Sequence, residues 1–121
     1  MGRSVANELL DKSKEAMISA VQIYNNPLIR FKSEMFIITA IISWTYLMHA
    51  YYRRIGIEYR YYRQRGQRKK YDRTKNGAYK HWELERCINE EFSPLDKGTA
   101  NNLRFLIGLK LQYEIEHSVN P

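Results

Sequence analysis

Residues 35–50 read MFIITAIISWTYLMHA, and their placement decides the fold. The stretch holds no Asp, Glu, Lys or Arg over 16 residues. A membrane-spanning helix needs about 20 apolar residues. This one is shorter and carries Thr39, Ser43, Thr45 and His49. It therefore reads as the core helix of a domain with no membrane partner. Ser33 is expected as its N-cap, Arg54 as its approximate end, and Gly56 as the residue that stops it. It is apolar nearly all round, so other elements must cover it on more than one side.

Those elements are legible on either side. Residues 4–24 carry Val5, Leu9, Ala16, Met17, Ala20, Val21 and Tyr24 at helical spacing, and Asn25-Asn26-Pro27 ends the pattern. Beyond the core helix, Trp82–Phe92 reads as a short helix with Leu84, Cys87 and Ile88 inward. A last helix, from about Thr99 to Ser118, places Ala100, Leu103, Ile107, Leu111 and Ile115 on one stripe. The expected fold class is all-α: a four-helix bundle in a single domain spanning 1–121. A basic loop or short hairpin, at about 57–80, joins its helical halves. Asn76-Gly77 marks a turn within that insertion.

Composition bounds the function. Of 121 residues, 44 % are hydrophobic and 13 % aromatic, too many for a disordered chain. The single cysteine, Cys87, excludes an internal disulfide and a cysteine-based zinc site. With only three scattered histidines, no metal ligand set and no cofactor are expected. One unpaired thiol and no legible secretory signal point to the cytoplasm. The net charge is +7, but it is not spread evenly. Eleven cations against Glu58 and Asp72 give the segment Arg53–Lys80 a charge of +9, leaving −2 for the rest.

That belt is the first candidate site. Arg60, Arg63, Arg65, Arg68, Lys69, Lys70, Arg73 and Lys75 are its expected nucleic-acid-binding residues. Seven of the ten tyrosines lie in or beside it (Tyr51, Tyr52, Tyr59, Tyr61, Tyr62, Tyr71 and Tyr79). Interleaved cations and aromatics suit single-stranded nucleic acid, where charges follow phosphates and rings stack on bases. A duplex or folded RNA fits the phosphate contacts equally. A solvated loop and an acidic partner such as an antitoxin are the competing readings.

The second candidate lies on the last helix, in KLQYEIEH from Lys110 to His117. Lys110 and His117 are seven residues apart, within about 20° of one helix face. Glu114 lies between them on that face, and Tyr113 is adjacent. A cation, a carboxylate and an imidazole together can bind a phosphate and move a proton. That is enough for metal-independent RNA cleavage by the 2′-hydroxyl. The same spacings also occur as ordinary surface pairs on helices.

Four segments, in order, carry a resemblance to a known family: LLDKSKEAMISAVQIYNNP, ISWTYLMHAYYRRIG, RTKNGAYKHWELERCINEE and NNLRFLIGLKLQYEIEH. Over residues 4–117 the chain resembles the HEPN superfamily of helical bundles found in prokaryotic ribonuclease toxins and defence proteins. It is most similar to a branch common in bacterial genomes. The resemblance implies a homodimer whose protomers bring together an arginine and, a few residues on, a histidine. His117 matches that histidine. The arginine position is filled by Lys110, with six residues between, or by Gln112, with four. Gln112 would lie about 140° from His117, so Lys110 is the better match. Lysine keeps the charge without the bidentate fork. Thr45 and His49 stand where relatives often have Glu and Lys. The site is thus either weakened or rebuilt around Lys110, Glu114 and His117.

Two functions follow as expectations. One is an endoribonuclease or RNA-targeting toxin of bacterial defence. His117 would be its acid or base, Lys110 its phosphate ligand, and Glu114 or Tyr113 the orienting group. The other is a degenerate HEPN module for RNA binding or complex assembly. Because the chain ends at Pro121, soon after the motif helix, it is also read as a fragment or subunit of a larger defence complex.

Overall fold

The structure, a computed structural model, describes residues 4–118; the side chains of His117 and Ser118 lie outside the described residues. The elements in order are α1 (Val5–Asn25), α2 (Lys32–Arg54), β1 (Tyr62–Arg65), β2 (Arg68–Tyr71), α3 (Leu84–Asn89) and α4 (Lys97–Ser118). The fold is thus mostly helical with a small sheet, rather than all-α. The sheet is a hairpin inside the basic insertion, between α2 and α3.

Helix α2 is the spine. Helix α1 lies antiparallel along one side: Arg54 donates to Asn7 Oδ1 at one end, and Tyr24 meets Phe36 at the other. Between these ends the helices approach closely through small residues. Ala6, Ser13 and Ala20 of α1 are buried, as are Ala40 and Ser43 of α2. At the centre, Ser13 Oγ donates to the Ser43 carbonyl (2.8 Å) and Ser43 Oγ donates to the Ser13 carbonyl (2.7 Å). Helices α3 and α4 and the insertion cover another side of α2. There Met48, Tyr52, Tyr59, Trp82, Leu84, Cys87, Ile88, Ala100 and Leu103 form the core. Helix α2 is long and apolar enough to cross a membrane, yet it buries Ser43 and His49 in hydrogen bonds, as a core helix does.

The helix ends follow capping chemistry. The Ser4 side chain accepts from the Asn7 amide at the start of α1. Asn26 Oδ1 accepts from the Leu28 amide just beyond its end. Gly56, at φ +77°, closes α2 as anticipated: its amide bonds to the Arg53 carbonyl and the Ile57 amide to the Tyr52 carbonyl. That pair of bonds is a Schellman motif. Asp96 Oδ1 accepts from the Thr99 amide, so α4 begins at Lys97 rather than Thr99.

Several expectations need correction. Ser33 is not the N-cap of α2. Phe31 occupies that position, with no side-chain cap. Helix α3 has six residues, not the eleven of Trp82–Phe92. Trp82 is held in extended pairing, its amide bonded to the Tyr59 carbonyl, so it cannot join the helix. On α1, Val5, Val21 and Tyr24 are exposed, because the tight contact with α2 runs through Ala6, Ser13 and Ala20 instead. On α4, Ala100 and Leu103 are buried but Leu111 and Ile115 are exposed, since that stripe runs past the end of the core.

Candidate nucleic-acid interface

The hairpin turns through Gly66 and Gln67. Gly66 has φ +60°, and no non-glycine residue among those described has a positive φ. A glycine at the first turn position suits a type II′ hairpin. The register pairs Tyr62 with Tyr71, Arg63 with Lys70, Gln64 with Lys69, and Arg65 with Arg68. Cross-strand partners share a face and neighbours along a strand alternate. The hairpin therefore separates the belt into two surfaces. Tyr62, Gln64, Lys69 and Tyr71 lie on one, and Arg63, Arg65, Arg68 and Lys70 on the other. Bridges Arg73↔Tyr79 and Arg60↔His81 extend the pairing to the returning chain. They add Arg60, Arg73 and Tyr79 to the tyrosine surface and Lys80 to the cationic one.

On the tyrosine surface the cations are already engaged. Arg60 donates to both carboxylate oxygens of Glu58 (2.9 and 3.0 Å). Its guanidinium sits 4.3 Å from the Tyr71 ring centre and 4.8 Å from that of Tyr79. Arg73 lies 4.2 Å from the Tyr79 ring and Lys69 4.8 Å from the Tyr62 ring. The rings also meet one another, Tyr62–Tyr71 at 5.9 Å and Tyr71–Tyr79 at 5.5 Å. The Arg60 hydrogen bonds hold the Glu58 carboxyl down at about 2 and raise Arg60 further above its usual range. These contacts are the hairpin's own packing, although Tyr62 and Tyr79 remain exposed at their outer edges.

The cationic surface is different. Arg63, Arg65, Arg68, Lys70 and Lys80 are all exposed. Arg63 has the Asp72 carboxylate 4.0 Å from its guanidinium. Asp72 lies with Arg63, Lys70 and Lys80 in an open depression of about 730 Å³, whose lining also takes in Lys69, Tyr71 and Arg73. Two rungs of the ladder oppose like charges, Arg63 with Lys70 and Arg65 with Arg68. Such pairs destabilise a sheet in isolation and are relieved by an anion. Lys75 lies exposed in the second turn, where Gly77 has φ +87° and its amide bonds to the Thr74 carbonyl.

The insertion is fastened to the body through α2. His49 Nε2 lies 2.7 Å from the Trp82 carbonyl, which can only accept, so Nε2 carries the proton. The ring stacks on Tyr59 at 4.6 Å. Burial lowers the His49 pKa, keeping the imidazole neutral. Tyr52 Oη donates to the Cys87 carbonyl at 2.6 Å, and burial pushes its phenol up to about 12. Tyr61 donates to Glu83. Arg86 lies over Trp82 and Tyr61 and pairs with Glu90.

The candidate catalytic residues lie elsewhere. Lys110 Nζ and Glu114 Oε1 form an ion pair at 2.6 Å, so the structure brings these two together. Lys110 lines a depression of about 200 Å³ with Ile41, Glu83, Leu84, Glu85, Ile107 and Leu111. The cations of the insertion are not part of that lining. Tyr113 belongs to another depression, beside Arg30–Glu34 at the start of α2. The backbone of α4 is helical through His117, whose side chain falls outside the described residues. The hairpin follows the C-terminal end of α2, whereas Tyr113 faces its N-terminal end. The two candidate sites are thus spaced along the spine in one chain.

The sequence reading treated the eight belt cations as equivalent. It missed the positioning role of Glu58 and the place of Lys80 and Asp72 on the cationic surface. The signal for the first was the i, i+2 pair Glu58–Arg60. For the second it was the alternation on either side of Gly66.

The family model described as "Domain of unknown function (DUF3644)" matches residues 8–121. No curated protein and no solved structure matches the chain. The match spans nearly the whole sequence, and the chain belongs to the DUF3644 family.

Proposed function

We propose that this chain is a cytoplasmic RNA-binding module on a HEPN-like helical body, and that the cationic hairpin surface carries the RNA. The observation behind this reading is the pair of like-charge rungs, Arg63↔Lys70 and Arg65↔Arg68, left exposed, with Asp72 within 4.0 Å of Arg63. A polyanion with regularly spaced charges relieves that repulsion. Salt titration of RNA binding tests it. Four or five phosphate contacts predict a log–log slope of roughly −3 to −4. Arg65→Glu with Arg68→Glu should remove most of the affinity. A slope near zero, or unchanged affinity in the double variant, would overturn the proposal. A homodimer, and an antitoxin or defence-complex partner, belong to the same proposal on the strength of the resemblance.

A second reading, metal-independent endoribonuclease, rests on the Lys110–Glu114 pair. The continuous helix brings residue 117 round to the same face. In this reading His117 moves the proton and Lys110 neutralises the phosphate. RNA cleavage in a chelator, lost in His117→Ala, is the expected result. Cleavage that survives the substitution would remove His117 from the chemistry.

A further inference from the structure

We propose that the RNA taken by the hairpin is double-helical and is held by its backbone, not by stacked bases; this rests on the RNA-binding reading above. Recognition of a single strand needs aromatic faces open beside the phosphate-binding cations. Here the two groups point in opposite directions. Tyr62, Tyr71 and Tyr79 lie on the surface away from Arg63, Arg65, Arg68 and Lys70. Each of these rings is met by a cation and by another ring. Tyr59 is buried, and Tyr61 is tied to Glu83 by its hydroxyl. The two tyrosines nearest the cationic surface are already engaged: Tyr61 packs against the core, and Tyr71, which lines the depression beside Asp72, has its ring against Arg60, Tyr62 and Tyr79.

The layout of the cations gives the second half of the argument. They stand in two ranks, one per strand, with the strands about 5 Å apart and successive cations about 7 Å apart along each strand. A single strand presents one row of phosphates and would engage one rank. An A-form duplex brings two phosphate rows together across its narrow major groove, a target for both ranks at once. Lys80 widens the array beside Asp72. The hairpin is also fixed before binding, by the Arg60–Glu58 pair and the His49–Trp82 bond, so its two ranks need no ordering step.

Fluorescence anisotropy with three probes tests the proposal: an RNA duplex of about 20 base pairs, an oligouridylate with the same number of phosphates, and a DNA duplex of the same length. The RNA duplex should bind at least about tenfold tighter than the oligouridylate. Tyr62→Leu should leave duplex affinity within about twofold, while Arg65→Glu with Arg68→Glu abolishes it. Circular dichroism confirms that each variant is folded. Oligouridylate binding as tightly as the duplex, or a large loss in Tyr62→Leu, would overturn the duplex assignment and leave RNA binding intact. A DNA duplex binding as well as the RNA duplex would overturn the A-form argument. If none of the probes binds, the RNA-binding reading itself fails.

Discussion

Arg65 stands directly across the hairpin from Arg68, on the last rung before the Gly66–Gln67 turn. The repulsion in that pair weakens the free protein. Arg68→Glu should therefore raise thermal stability by roughly 1–5 °C at low salt while weakening RNA binding. Melting curves at two ionic strengths check this, since added salt should shrink the gain. An unchanged or lower Tm would mean that the pair carries no strain.

The ion pair between Glu58 and Arg60 holds Arg60 against Tyr71 and Tyr79. Glu58→Gln should cost about 1 kcal/mol, discounted for partial exposure. The folded pKa of Glu58 lies near 2, held below the 4.5 of a free glutamate by the Arg60 hydrogen bonds. Its contribution is therefore complete above pH 4.5 and is lost as pH falls toward 2. Denaturation curves across that window should be flatter for the Gln variant than for the wild type.

His49 titrates in the same sense. Its folded pKa is below 6.5, so the unfolded chain takes up the proton first on acidification. Stability should be constant with respect to this group above about pH 6.5 and should fall below it. His81, also lowered, adds in the same direction. His49→Gln should flatten the decline more than His81→Gln does. An equal slope in wild type and His49→Gln would place the proton uptake elsewhere.

The reciprocal bonds of Ser13 and Ser43 set the distance between α1 and α2. Ser13→Ala should cost about 1 kcal/mol, because the Ser43 carbonyl loses its donor. Ser13→Leu should cost about 1–3 kcal/mol, because its side chain must enter a closed interface. Urea unfolding separates the two, and equal costs would deny that the interface is tightly packed.

Cys87 is fully buried, and burial pushes its thiol up to about 12. A thiol reagent should leave the native protein untouched and label it fully in denaturant. Rapid labelling in buffer would show that α3 opens readily.

Much of this organisation was legible in the sequence, because local chemistry sets it. Gly56 and Asn26 mark helix ends through bonds within a few residues. Cys87 reads as inward from helical spacing, and it is buried. What escaped the reading depends on distant pairing. Trp82 has helix-compatible neighbours, but its amide is taken by Tyr59, 23 residues earlier. The division of the belt also depends on register. Arg60 and Arg63 look alike in the sequence, and only the position of the turn sends one to the tyrosines and the other to solvent. For the Lys110 site, helical periodicity anticipated the contact with Glu114, but it could not show that Tyr113 faces the other end of α2.

The alternation along the hairpin also bears on how such a domain can change. Positions 63, 65, 68 and 70 point away from the packing that holds the ribbon in shape. They can be exchanged singly without disturbing Arg60, Tyr71 or Tyr79. The ribbon is thus a tip that can be retargeted on a constant mount. Shifting the register by one residue would do the reverse, turning the tyrosines outward and converting a backbone grip into a base-stacking one.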